Sequence, residues 1–214
     1  MSATRQDHYL AAREAALERL KPGLDAERLQ KLGASLNPED GTIGIQVLRW
    51  RVQVRPEPYA MHLLPEGGEV QIVWQILVLD YLGAERVTAP TGFVSFADFA
   101  EGRSYQQAFE GRANARLSRG VGRTREGLLQ AARALGGTVA EGDPLRCMFR
   151  FFPLVEFQVV RSEADEDFPA SCSVLFSDNM LDIFSLEDGI VAAERLVSAL
   201  EGKTPAARAG AERP

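Results

Sequence analysis

From Glu69 to Gly83 apolar side chains fall on nearly every side of a helix: Val70, Val73, Trp74, Leu77, Val78 and Tyr81 on one flank, Ile72, Ile76 and Leu79 on another. A helix that is apolar all round belongs in a core rather than at a surface. Gln71, Gln75 and Asp80 interrupt this one, and it is too short to span a bilayer. It is expected as the buried central helix, about residues 70–82, of a soluble fold.

Upstream, Tyr9, Ala12, Ala16, Leu17 and Leu20 recur at helical spacing, and Pro22-Gly23 should stop that first helix. Asp25 can cap a short second helix, with Leu24 stapled on Leu29 and Gly33 closing it. After the turn composition of Asn37–Gly41 the period changes to two. Ile43, Ile45 and Val47, then Trp50, Val52 and Val54, read as strand positions. The parity slips between Val47 and Trp50, which means either a tight hairpin or one bulged strand. Tyr59–Leu64 reads as a further strand, and Gly92–Phe96 as a short apolar run.

Ser104 with Gln107 has the form of a capping box, so a helix should run from Tyr105 to about Leu117. Thr124 can cap another, carrying Leu128, Ala131, Ala132 and Leu135 and closed by Gly136-Gly137. Leu145, Cys147, Phe149 and Phe151 then alternate with Arg146, Met148 and Arg150, as in a strand with two distinct faces. Val155, Phe157 and Val159 make the next strand, and Cys172, Val174 and Phe176 the one after, with Glu163–Asp167 as an acidic hairpin tip between them. Ser185 and Asp188 open a last helix lined by Leu186, Ile190, Ala193, Val197 and Leu200. The order of helices and strands lacks regular alternation. The expected class is therefore α+β: a mixed or antiparallel sheet around the central helix, with further helices on one side.

Length and composition sharpen this picture. A chain of 214 residues suits a single globular domain, here residues 1–202, and Lys203–Pro214 has the composition of a disordered tail. A net charge of -6 argues against a general nucleic-acid binder, because neutralising phosphates needs a basic surface. The start has no apolar stretch of the kind that signals secretion. Cys147 and Cys172 are too few for a disulfide scaffold. The expected setting is the reducing cytoplasm, without a membrane span.

Across most of its length the chain resembles an uncharacterised prokaryotic family, domain of unknown function 3786. The matching stretches are Leu29–Ala34, Ile76–Leu82, Phe93–Phe96 followed by Gly102–Tyr105, Leu135–Gly137, Gly142-Asp143, Asp167–Pro169, Val174–Phe176 and Leu186–Asp188. Their order and spacing, rather than any one motif, carry the resemblance. It implies an accessory role in the corrinoid or one-carbon metabolism of anaerobes, since some relatives carry an added iron–sulfur domain. This chain lacks the clustered cysteines such a domain needs, so no cofactor is carried over. It also departs from the family's pattern at Asp80, where His is favoured, and at Ser177, where Asp is favoured.

The chemistry-bearing residues are sparse. Cys147 and Cys172 lie on the apolar parity of their strands and read as buried small hydrophobes. His8 and His62 stand beside neither a cysteine nor a serine in any motif, and no spacing fits a metal site. Asp143, Asp178, Glu187 and Asp188 could supply a carboxylate pair for acid–base work or a hard metal, but Glu187 and Asp188 suit a helix N-terminus and Asp143 a turn. Arg119-Gly-Val-Gly-Arg123 has glycines before a helix start, but it follows no strand and lacks nucleotide-binding spacing, so it reads as a helix–helix turn.

One candidate site remains. Positions 105, 109, 112 and 116 share a helix face by the i, i+4, i+7, i+11 rule. Tyr105 and Phe109 should point inward, and Arg112 and Arg116 share their face. With Arg103 before the cap, Arg103, Tyr105, Arg112 and Arg116 would suit a carboxylate or phosphate held by guanidinium groups. The competing reading is structural: ion pairs with Glu187, Asp188 or Asp143, or heads that snorkel to water. Two functions follow. One is a non-catalytic module for a small anionic ligand or a partner protein; the other is an enzyme whose carboxylates and arginines assemble only on folding. No nucleophile–base pair is apparent, which favours the first.

Overall fold

The fold is described from a computed structural model, for residues 3–20, 25–65 and 67–207, with side chains from Gln6 onward. The chain is α+β with two antiparallel sheets, where one was expected. It divides into two compact units: residues up to Val87 together with the segment from Pro205, and residues Thr88–Thr204. No described helix is long and apolar enough to cross a membrane.

In the first unit, helix α1 (Ala3–Leu20) packs on α3 (Ile72–Leu82). Asp25 caps the short α2 (Ala26–Lys31), its carboxylate accepting from the amides of Glu27 and Arg28. The expected stop at Pro22-Gly23 and the Leu24 staple lie outside the described residues. The sheet runs in the order β1 (Ser35–Leu36), β2 (Ile43–Val47), β3 (Trp50–Pro56), β4 (Tyr59–Leu64). Ile43 faces Val54 and Val47 faces Trp50, so the parity slip is a hairpin with Leu48-Arg49 at its turn.

Helix α3 is buried on nearly every side, as its composition demands, with Trp74, Leu77, Val78, Leu79, Tyr81 and Leu82 all inside. Its polar members are satisfied. Gln75 accepts from the Tyr59 hydroxyl at 2.8 Å and donates to the Val70 carbonyl at 2.6 Å. Asp80 pairs with Arg19 at 2.6 Å, and the Tyr81 hydroxyl donates to the Leu32 carbonyl at 2.7 Å. Part of the expected tail has a defined place here: the Gln71 amide donates to the Pro205 carbonyl, and the Ala207 amide to that of Glu69. Residues 208–214 of the expected tail lie outside the described residues.

The second unit holds a five-stranded antiparallel sheet in the order β5 (Phe93–Val94), β9 (Ser171–Ser177), β8 (Val155–Ser162), β7 (Leu145–Phe152), β6 (Thr138–Ala140). The inward parity is the one read from the sequence: Cys147 and Phe149, then Val155, Phe157 and Val159, then Cys172, Val174 and Phe176. A register shift between Arg150 and Phe152 lets Phe151 and Phe152 both be buried, against Phe157 and Phe184 respectively. Helix α6 (Arg125–Ala134), capped by Thr124, lies against β6, β7 and α8 (Leu186–Leu200). A single turn, α7 (Met180–Ile183), precedes α8, and Ser185 caps α8 by accepting from the Asp188 amide.

Candidate functional site

The site grows from an incomplete sheet edge. Strand β5 pairs with β9 only at Ser177 and Phe176. At Ser95 the chain turns away into a tight turn, Phe96–Asp98, closed by a reciprocal cap between Ser95 and Asp98. Those hydrogen bonds hold the Asp98 carboxyl below its ordinary pKa. Gly102 then starts α4 (Gly102–Phe109) so close to this turn that a Cβ would lie 1.9 Å from the Phe96 carbonyl oxygen. Only glycine fits there.

The rest of the β9 edge is closed by a helix rather than by a strand. After α4 the backbone widens into a π turn, Glu110–Asn114, in which the Ala115 amide reaches back five residues to the Glu110 carbonyl, before α5 (Ala115–Arg119). The Asn114 side chain accepts from the Val174 amide at 2.9 Å and donates to the Glu110 carboxylate at 2.8 Å. One turn on, the Ser118 hydroxyl accepts from the Cys172 amide at 2.9 Å and donates to the Asn114 carbonyl at 2.8 Å. Two strand donors that would otherwise be orphaned are thus satisfied by side chains.

Between the departing β5 chain, α4, the π turn and Ser173–Leu175 of β9 lies a cleft of about 170 Å³. Phe96 and Phe109, stacked with centroids 4.6 Å apart, form its apolar wall. Ser95, Gln106, Asn114 and Ser173 supply polar groups, and Glu110 is the one charged side chain in its lining. A site with an apolar wall, a carboxylate and amide or hydroxyl groups suits a small molecule that donates hydrogen bonds.

The four residues singled out from the sequence lie elsewhere. Helix α4 begins at Gly102 with Glu101 before it, so Ser104 is not the cap, and Tyr105 is 54% exposed instead of pointing inward. Arg103 is exposed beside Asp98. The π turn adds one residue to the helical repeat, which moves the inward stripe from 112 and 116 to Ala113 and Leu117, with Asn114 alongside. Arg112, mostly exposed, lies 3.6 Å from Glu194. Arg116 grips Glu201 with two nitrogens and donates to the Ser198 hydroxyl at 3.0 Å. That pairing raises the Arg116 pKa and lowers the Glu201 pKa. The carboxylate partners are Glu194 and Glu201 rather than Glu187, Asp188 or Asp143.

The arginine that does face inward is Arg161, which follows Val155, Phe157 and Val159 on the same parity of β8 and is only 4% exposed. It donates to the Gly122 carbonyl at 3.0 Å and pairs with Glu163, whose pKa is lowered by that contact. Its guanidinium pins the Arg119–Arg123 turn between α5 and α6, which is therefore a helix–helix turn. Strand parity alone would have found it.

The remaining candidates have structural surroundings. Burial pushes the Cys147 thiol up to about 11 and raises that of Cys172, whose sulfur lies 3.5 Å from the Gly122 carbonyl oxygen. Both thiols are free and buried. Asp178 accepts from the Thr91 amide and hydroxyl, which lower its pKa. His8 lies on α1 and His62 on β4. Among the described residues no group of three His, Cys, Asp or Glu is placed to hold a metal ion. Comparison with curated proteins and with solved structures gives no match. The family described as a domain of unknown function, DUF3786, matches over residues 26–199, and the chain belongs to that family.

Proposed function

We propose that this protein is a non-catalytic, cytoplasmic binding module whose small ligand sits in the cleft beside the π turn and carries an ammonium, guanidinium or amide group. The observation that carries this reading is the lining itself. Glu110 is its single charge, and one carboxylate oxygen accepts from Asn114 while stacked phenylalanines wall the apolar side. An anion would meet that carboxylate unfavourably, whereas a cation or amide gains a charge-assisted hydrogen bond. The arginines that suggested an anionic ligand, Arg112 and Arg116, have Glu194 and Glu201 as partners.

Binding is favoured over catalysis by the lining, which pairs its one carboxylate with the Asn114 amide and brings no nucleophile–base pair together. An accessory role beside corrinoid or one-carbon proteins is what the family resemblance adds. In that role the partner, not this chain, carries the cofactor.

Titration of the isotope-labelled protein with methylammonium, methylguanidinium, acetamide and acetate tests the reading. The donors should shift the amide resonances of Ser173–Leu175 saturably, and Glu110→Gln should abolish the response to the two cations. A response to acetate alone, or shifts centred away from β9, would overturn it.

A further inference from the structure

Strand β5 pairs Val94 with Phe176 and then leaves the sheet at Ser95. Along an antiparallel strand every second residue turns both its amide and its carbonyl to the same edge. The next residue of β9 to face that edge after Phe176 is Val174, and Phe96 would have met it had β5 run on. Asn114 takes the Val174 amide in place of the missing strand. The Val174 carbonyl, turned the same way, receives no hydrogen bond from the described residues, although Val174 is only 2% exposed. A buried carbonyl without a donor carries a desolvation cost that a bound donor removes. Val174 lines the same cleft as Glu110, whose Oε2 accepts from Asn114 and whose Oε1 has no partner among the described residues. The cleft therefore holds two open acceptors, one of them charged, beside the stacked rings of Phe96 and Phe109.

We propose that the ligand of this cleft is a primary amine with an aryl-sized apolar tail and no carboxylate, its ammonium joining Glu110 to the Val174 carbonyl. This rests on the binding reading given above and narrows it. An ammonium carries three donors on one nitrogen, so it can serve two acceptors supplied by different elements. A guanidinium is held best by both oxygens of one carboxylate, and one oxygen of Glu110 is already engaged. An amino acid would bring a carboxylate against Glu110, the one charge in the lining. That carboxylate would find the Val174 amide given to Asn114 and the Asn114 amide given to Glu110. The space sets the tail. An apolar cavity of roughly 150 Å³ accommodates a benzene ring, and this cleft has about 170 Å³. A ring there gains further from edge-to-face contact with phenylalanine.

Titration of the labelled protein with benzylamine, benzyltrimethylammonium, phenylalanine and methylguanidinium tests the assignment. Benzylamine should bind about tenfold or more tighter than each of the others, which lack the N–H donors, add a carboxylate, or lack the ring. The carbonyl carbon resonance of Val174 should move downfield with benzylamine, as a carbonyl does when it accepts a hydrogen bond. It should stay in place with benzyltrimethylammonium, which keeps the charge and the ring but has no N–H. Phenylalanine or methylguanidinium binding as tightly as benzylamine, equal affinity for the trimethyl analogue, or an unmoved Val174 carbonyl would each overturn the proposal. In those cases the saturable shifts at Ser173–Leu175 would remain, and with them the broader reading of the cleft. Silence of Ser173–Leu175 towards every cation would sink both.

Discussion

Helix α3 and the longer helical run from Gly102 to Arg119 answer differently to the same reasoning. In α3 most positions are apolar and none is exposed, so its burial does not depend on which residue faces which way. In the second run only one stripe is inward, and a single added residue in the π turn rotates everything after it. Hydrophobicity that is uniform around a helix tolerates an error of phase; hydrophobicity confined to a stripe does not. The π turn converts Arg112 and Arg116 from core candidates into surface partners of Glu194 and Glu201, and brings Asn114 in instead.

The difference can be tested by substitution, beginning where the loss should be greatest. Trp74→Ala in α3 removes a side chain that is 3% exposed and packs edge-on against Trp50, and should cost about 3–5 kcal/mol in denaturant unfolding. An unchanged midpoint would mean that α3 is peripheral. Asn114→Ala should cost less, about 1–3 kcal/mol, because it leaves the Val174 amide without its acceptor but opens only a small cavity. If the loss equalled that of Trp74→Ala, the helix would be a core element rather than an edge clamp. Deleting Gly111 should cost no more than Asn114→Ala, about 1–3 kcal/mol, because removing the extra residue takes Asn114 off the Val174 amide while Gly111 itself is exposed. That deletion returns the run to regular helical geometry. It should reduce the response of Ser173–Leu175 to methylguanidinium while the protein stays folded. A fully folded deletion variant with undiminished response would remove the π turn from the site.

What was legible in the chain was local. Asp25, Thr124 and Ser185 cap the helices they precede, because a cap is a contact across three residues. The strand parity of residues 145–151, 155–159 and 172–176 holds, since alternation is fixed by the pleat, and it breaks only at the register shift that also buries Phe152. The short strands β1 and β6, of two and three residues, leave no mark in the sequence pattern because pairing rather than composition makes them. Ser95 and Asp98 carry a capping signature as plain as Ser104 and Gln107, and only the first pair is used. Arg161 is readable from its parity on β8, which it shares with Val155, Phe157 and Val159. The cleft was not readable: it is assembled from the end of β5, the π turn and β9, and no stretch of sequence announces where those three meet.

The clamp on β9 has a consequence for how this protein behaves among its own copies. A strand edge with free donors is a template on which another chain can add itself. Here Asn114 and Ser118 occupy the donors at Val174 and Cys172, which are therefore not free to pair with another strand. If the helical run lifts, both amides come free at once, beside an apolar strand. Hydrogen–deuterium exchange at these two sites therefore times the detachment of a helix, not the parting of strands, and the same event opens the route to aggregation.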